Sequence, residues 1–189
     1  QDFGVQGEVP AIPELLDYVA RRFVRLHWDT KALCREIALS RTFGQSSLPA
    51  DRAQMEADPG NAFLARGPRF RLSAEQLRDS VLVASGLLNP KVGGPSVKPY
   101  QPAGLWEDSA TQHEYVQDKG ADLYRRSLYT FWRRTCPPPT MTVFDAPSRE
   151  FCLVNRTPTM TPLQVLAIWN DTGYLESARV MAEKLVQEQ

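Results

Sequence analysis

TPLQVLAIWNDTGYLESARVMAEKLV (Thr161–Val186) decides the fold class. Thr161, Pro162 and Gln164 supply a cap residue, a first-turn proline and a glutamine that reaches back, the combination that opens a helix. A last helix follows over Thr172–Val186, with Ala178, Met181, Ala182 and Leu185 at the spacing of an inward face. Upstream, Ser73 and Gln76 repeat the capping pattern. Leu77, Val81, Ala84 and Leu88 give that helix its apolar side, until Asn89–Pro90 must stop it. Nearer the start, Pro13 opens a helix with the stripe Leu15, Leu16, Val19, Ala20, Phe23 and Leu26. Asp29 caps another, with Leu33, Ile37 and Ala38 facing in and a loop beginning near Arg41–Ser47. These two form an antiparallel helical hairpin. The expectation is a mainly α fold, one domain over 1–189, with long irregular loops rich in proline and glycine.

The irregular parts are as legible as the helices. Gln1–Ile12 reads as an extended entry loop, and Pro49–Phe70 as a connection rather than a domain boundary. KVGGPSVKPYQPAG (Lys91–Gly104) packs three prolines and three glycines into fourteen residues, a density no regular element survives. Asp118–Arg134 is contested. Leu123, Tyr124, Leu128, Phe131 and Trp132 fit a helix, while Tyr129, Thr130 and Phe131 favour a strand. Length favours the helix, ended by Pro137, Pro138 and Pro139, with irregular chain on to about Ser148.

Composition excludes several function classes. The 189 residues are 42% hydrophobic and 23% charged, ordinary for a globular protein. With 22 basic and 22 acidic residues the net charge is +0, without the electrostatic footprint of a nucleic-acid binder. No apolar run approaches the roughly 20 residues that span a bilayer. The chain opens on Gln1 without methionine or a leader pattern, which reads as a mature segment or an excised domain. Cys34, Cys136 and Cys152 are too few for a disulfide scaffold, and free buried thiols are favoured over a Cys136–Cys152 bridge.

Familiar catalytic and cofactor patterns are missing. No cysteine has the Cys-x-x-Cys-His partners of covalent haem, so no cofactor is expected in this segment. His113, Glu114 and Asp118 make a weak metal set, better read as solvated polar surface. Gly93–Ser96 lacks the Gly-Lys-Ser/Thr ending of a phosphate loop, and Ser85 lacks a nucleophile elbow.

Arginine is what stands out: 17 of the 22 basic residues. Guanidinium is planar and always charged, so it can brace carboxylates or carbonyls at two points. The favoured reading is that arginines pin the loops to the helices through buried or half-buried ion pairs. The alternative is an anion or sugar site built from Arg69, Arg71, Lys98 and Arg126, with Tyr100 and Trp106 as stacking platforms. Tyr115 extends that aromatic set, and the competing reading has Trp106 closing the core over its loop.

Several long blocks carry a resemblance: DFGVQGEVPAIPELLDYVA (Asp2–Ala20), ARGPRFRLSAEQLRDSVLVASGLL (Ala65–Leu88), GGPSVKPYQPAGLW (Gly93–Trp106), DLYRRSLYTFWRRTCPPP (Asp122–Pro139), FDAPSRE (Phe144–Glu150) and TPLQVLAIWND (Thr161–Asp171). Together they resemble the C-terminal domain of unknown function in large secreted, planctomycete cytochrome-type proteins. The family pattern usually has a histidine where this chain has Ile12, and a further helix preceding Asp2–Phe3. The resemblance implies export, with partners among the sister domains of a parent protein, including a c-type cytochrome module. It implies no reaction. Three function classes follow. The favoured one is a non-catalytic interaction or scaffold domain. The others are a carbohydrate-binding module for acidic or sulfated polysaccharide, and a hydrolase using Glu75, Asp79, Asp145 or Glu150.

Overall fold

The computed structural model describes residues 4–106 and 114–188. Their regular structure is helical, with seven α-helices and, among the described residues, no strand beyond isolated bridges. The chain divides into two compact units, Gln1–Phe70 and Arg71–Gln189.

The first unit holds α1 (Pro13–Arg25), α2 (Thr30–Ala38) and α3 (Arg52–Ala57). As expected, α1 carries proline in its first turn, and Asp29 caps α2 by accepting from the Ala32 N–H at 3.0 Å. Between them His27 and Trp28 take left-handed φ of 52° and 64°, which folds the chain back and sets Phe23 edge-on to Trp28. The hairpin is correct, but its apolar stripe is not covered: neither α1 nor α2 has a buried residue, and Leu16 and Ile37 are exposed. α3 lies inside the stretch expected to be plain connection. Gly67 closes this unit, its N–H donating to the Ser46 carbonyl at 2.8 Å. A Cβ there would sit 2.3 Å from the Gln45 carbonyl oxygen, so only glycine fits.

The second unit contains α4 (Ala74–Ser85), α5 (Pro139–Val143), α6 (Pro162–Asn170) and α7 (Thr172–Gln187). The Ser73–Gln76 box at the head of α4 forms in both directions. Gly86 then ends α4 at φ 73°, a left-handed position favourable only to glycine. The core lies where α4, α5 and α7 meet: Ala74, Met141, Phe144 and Tyr174, with Leu77, Val81, Trp132 and Ala167 around it. The inward face of α7 differs from the expected one. Tyr174 and Ser177 are buried, whereas Ala178, Met181, Ala182 and Leu185 are exposed. Ser177 tolerates burial because its hydroxyl donates back to the Gly173 carbonyl at 2.8 Å.

The expected helix over Asp118–Arg134 is absent. Two 3₁₀ turns, Gly120–Tyr124 and Ser127–Tyr129, are separated by extended backbone at Arg125 and Arg126. The segment lies beside the Pro/Gly loop, with parallel bridges Asn89–Arg125 and Val97–Thr130. Tyr129–Phe131 therefore forms neither helix nor strand: Tyr129 closes the second turn, and Val97 of the loop donates to the Tyr129 carbonyl at 2.8 Å and accepts from the Phe131 N–H at 2.7 Å.

Arginine holds this irregular backbone. Arg125 is 2% exposed. It donates to the carbonyls of Lys91 (3.2 Å), Gly93 (2.5 Å) and Pro95 (2.9 Å) and lies over the Tyr129 ring. Arg78 donates to the carbonyls of Leu123 and Arg125, Arg66 to those of Asp58 and Pro59, and Arg71 to that of Thr159. The expectation of buried or half-buried ion pairs is met in part: Arg156–Glu75 and Arg126–Asp79 are half-buried pairs, while the most buried guanidiniums, Arg125 and Arg66, grip main-chain carbonyls. A carbonyl in a loop has no ladder partner, so a five-donor cation satisfies several at once.

Arg156 and Glu75 form the best-sheltered ion pair, at 2.6 Å. Burial alone would raise the Glu75 carboxyl, but hydrogen bonds from Arg156 and the first turn of α4 outweigh it and hold the group below 4.5. Its stabilisation is present above the ordinary carboxylate value and is lost as pH falls through the lowered one.

Candidate functional site

The second unit has a half-open cavity of about 60 Å³ between α4, α5 and the first turn of α7, lined on another side by Tyr100, Leu123 and Thr130. The capping geometry of α7 builds one edge. Asp171 Oδ1 accepts from the N–H groups of Gly173 and Tyr174, and Oδ2 accepts the Thr140 hydroxyl at 2.6 Å. Both oxygens are committed. Arg78 forms the opposite edge, held by its bonds to Leu123, Arg125 and Ser127. Burial lowers the Arg78 guanidinium below its ordinary value, opposed by the charge of Asp79 and, more weakly, Asp171. No carboxylate among the described residues forms an ion pair with it.

Hydroxyls complete the lining. The Tyr124 phenol donates to Glu176 Oε1 at 2.9 Å, and burial followed by hydrogen bonding with Tyr100 and Glu176 raises it well above the usual tyrosine range. Burial likewise raises Tyr174, helped by the nearby Asp171 charge. Thr130 is 6% exposed, and its Oγ1 has no hydrogen-bond partner among the described residues.

The residues expected to bind a ligand are brought together only in part: Lys98 and Trp106 share the rings of Tyr115 and Phe131. Only Tyr100 lines the cavity. Arg69 is an exposed residue of the first unit, and Arg71 spends a donor on the Thr159 carbonyl. Lys98 sits over the rings of Tyr115 and Phe131, and Arg126 pairs with Asp79 at 3.3 Å. Trp106 is 7% exposed, its indole N–H donating to Gln101 Oε1 at 2.7 Å, its ring against Tyr115 and Phe131. Its ring faces the core rather than solvent, as the closing role predicts.

Three of the four acids weighed for hydrolysis are engaged elsewhere. Glu75 pairs with Arg156, Asp79 accepts the Ser127 N–H and Arg126, and Asp145 accepts both the N–H and hydroxyl of Thr159. Glu150 is exposed. Among the described residues no three His, Cys, Asp or Glu cluster as for a metal; His113 of the weak candidate set lies outside them. All three cysteines are free; Cys136 is buried as expected, while Cys152 is exposed. No described helix is long and apolar enough to cross a membrane. Sequence reading missed Arg78, Thr130, Asp171 and Tyr174 as a group. Only the Asp-Thr-Gly start of α7 carried a signal, as a helix cap.

Neither a curated protein nor a solved structure matches the chain. The model of one family, PSD1, described as a protein of unknown function (DUF1553), matches residues 1–189. The arginine-pinned helical fold described above is therefore that of a member of the PSD1 (DUF1553) family.

Proposed function

We propose that the chain is a non-catalytic interaction module, and that its partner is a neighbouring domain of the same, longer polypeptide. The observation that carries this is α6. Its sequence PLQVLAIWN has no charged residue, and it presents Leu163, Leu166 and Trp169 to solvent, Trp169 at 70% exposure. Only Gln164 is buried, and Ala167 packs on the core. An uncharged helix with an exposed tryptophan has the make-up of an interface centre.

The engaged acids argue in the same direction, since carboxylates already accepting two hydrogen bonds are poor proton donors. On the resemblance of its long blocks, the parent is read as an exported protein with a c-type cytochrome module, the haem lying outside this segment.

Crosslinking mass spectrometry on the parent protein tests the proposal. Crosslinks from residues flanking α6 to a sister domain are expected, and Trp169→Glu is expected to abolish them. A crosslink map with no contact from this domain to any other would overturn it.

A further inference from the structure

We infer that α6 is a ligand helix: the neighbouring domain closes around it as a groove, with uncharged apolar walls on both flanks and a hydrogen-bond acceptor opposite the Trp169 indole N–H. This rests on the interface reading of α6 and specifies the shape and chemistry of its partner.

Successive residues of an α-helix are turned by about 100° around its axis. Gln164 and Ala167, about 60° apart on that wheel, are the two residues of α6 that face the core. Around the rest of the helix come Ile168, Val165, Trp169, Leu166 and Leu163 in that order, at 40%, 50%, 70%, 53% and 57% exposure. They cover an arc of roughly 220°. A helix packed against one surface buries a stripe of about 100°. One flat face therefore cannot cover α6. Contact centred on the Leu166–Trp169 ridge would leave Ile168 on one flank and Leu163 on the other in water.

The helix also sets the chemistry of the walls. PLQVLAIWN has no ionisable side chain, so a charge on the wall facing it would lose its water and gain no partner. The other long helices differ. α1 and α7 expose apolar residues too, but the solvated pairs Asp17–Arg21 and Arg179–Glu183 keep one side of each in water. α6 has no such side, and a helix apolar all round is an enclosed one. A lipid surface fits it less well, because helices that lie on membranes oppose the apolar face with a basic one. Trp169 brings an indole N–H, and a tryptophan that becomes buried takes an acceptor for it.

Hydroxyl-radical footprinting, read residue by residue on the isolated chain and on the parent polypeptide, tests the groove without altering the sequence. Ile168 and Leu163 are expected to be labelled about tenfold more slowly in the parent, together with Leu166 and Trp169, as side chains fully desolvated at an interface centre. Protection of Leu166 and Trp169, with either flank labelled as in the isolated chain, would mean a flat contact: the groove would be wrong and the interface would stand. No protection at any of the four would remove both. Labelling of the isolated chain that already slows as its concentration rises would mean that a second copy covers α6, and would overturn the groove as well. Ile168→Glu and Leu163→Glu alter positions exposed in the isolated chain, so both variants should fold. Each is expected to abolish the crosslinks of α6 to the sister domain, and a folded variant that keeps them would contradict an enclosed flank.

Discussion

Arg125→Met is expected to cost on the order of 3–5 kcal/mol of folding stability, the largest effect of any single substitution in this chain. Methionine keeps the apolar stem but strands three carbonyls, those of Lys91, Gly93 and Pro95, in a region with no ladder to take them. The loop also needs Gly93 and Gly94 at φ 79° and 89°, so it has little freedom to turn its carbonyls elsewhere. Arg125→Lys should recover less than half of the loss, because one ammonium cannot span a planar fork. The matched control is Arg126→Met, next in sequence. Its ion pair with Asp79 is more than half exposed on the arginine side, so removal should cost under about 1 kcal/mol. Urea denaturation of the three variants checks the order, and equal losses at Arg125 and Arg126 would contradict it.

Gln164→Leu is expected to cost about 2–4 kcal/mol. Gln164 is 2% exposed and works in two directions. Its Oε1 accepts from the Thr161 N–H at 3.2 Å, and its Nε2 donates to the carbonyls of Val143 (2.9 Å) and Thr159 (3.3 Å). One side chain thus starts α6 and ties it to the end of α5. Leucine fills the space and satisfies none of these groups. Gln164→Glu separates the two roles. A carboxylate still accepts from Thr161 but faces two carbonyls, so its folded-state pKa is raised by burial. The penalty should be present at neutral pH and shrink as pH falls, because the protonated carboxyl regains one donor. Urea midpoints at neutral and mildly acid pH measure this; a Glu variant whose deficit grows in acid would contradict the assignment.

Helix starts were the part of this fold most open to reading. Ser73–Gln76, Asp29 and Thr161–Gln164 act locally, through atoms three residues apart, so adjacent letters suffice to find them. Helix faces were less legible. Spacing marks the apolar residues of α7 without saying which neighbours arrive; Tyr174 and Ser177 are inward where α4 packs along α7, with Phe144 at the end of α5 edge-on to Tyr174. Asp118–Arg134 failed for a related reason. Its conformation is set by carbonyls some thirty residues away, through Arg125, and no local propensity carries that information. The special place of arginine was visible from composition alone. That the most buried of them, Arg125 and Arg66, would grip carbonyls was not, since that depends on which loops lack hydrogen-bond partners once folded. The cavity was least visible, because Arg78, Thr130, Asp171 and Tyr174 come from four separate segments.

Hydrogen–deuterium exchange across Thr161–Asn170, compared between the isolated chain and its parent polypeptide, tests most directly whether this is an interaction module. The account predicts that the exposed side of α6, around Trp169, exchanges rapidly alone and becomes strongly protected when the neighbouring domains are present. Identical exchange in both, with Trp169 equally open to solvent in the parent, would contradict it.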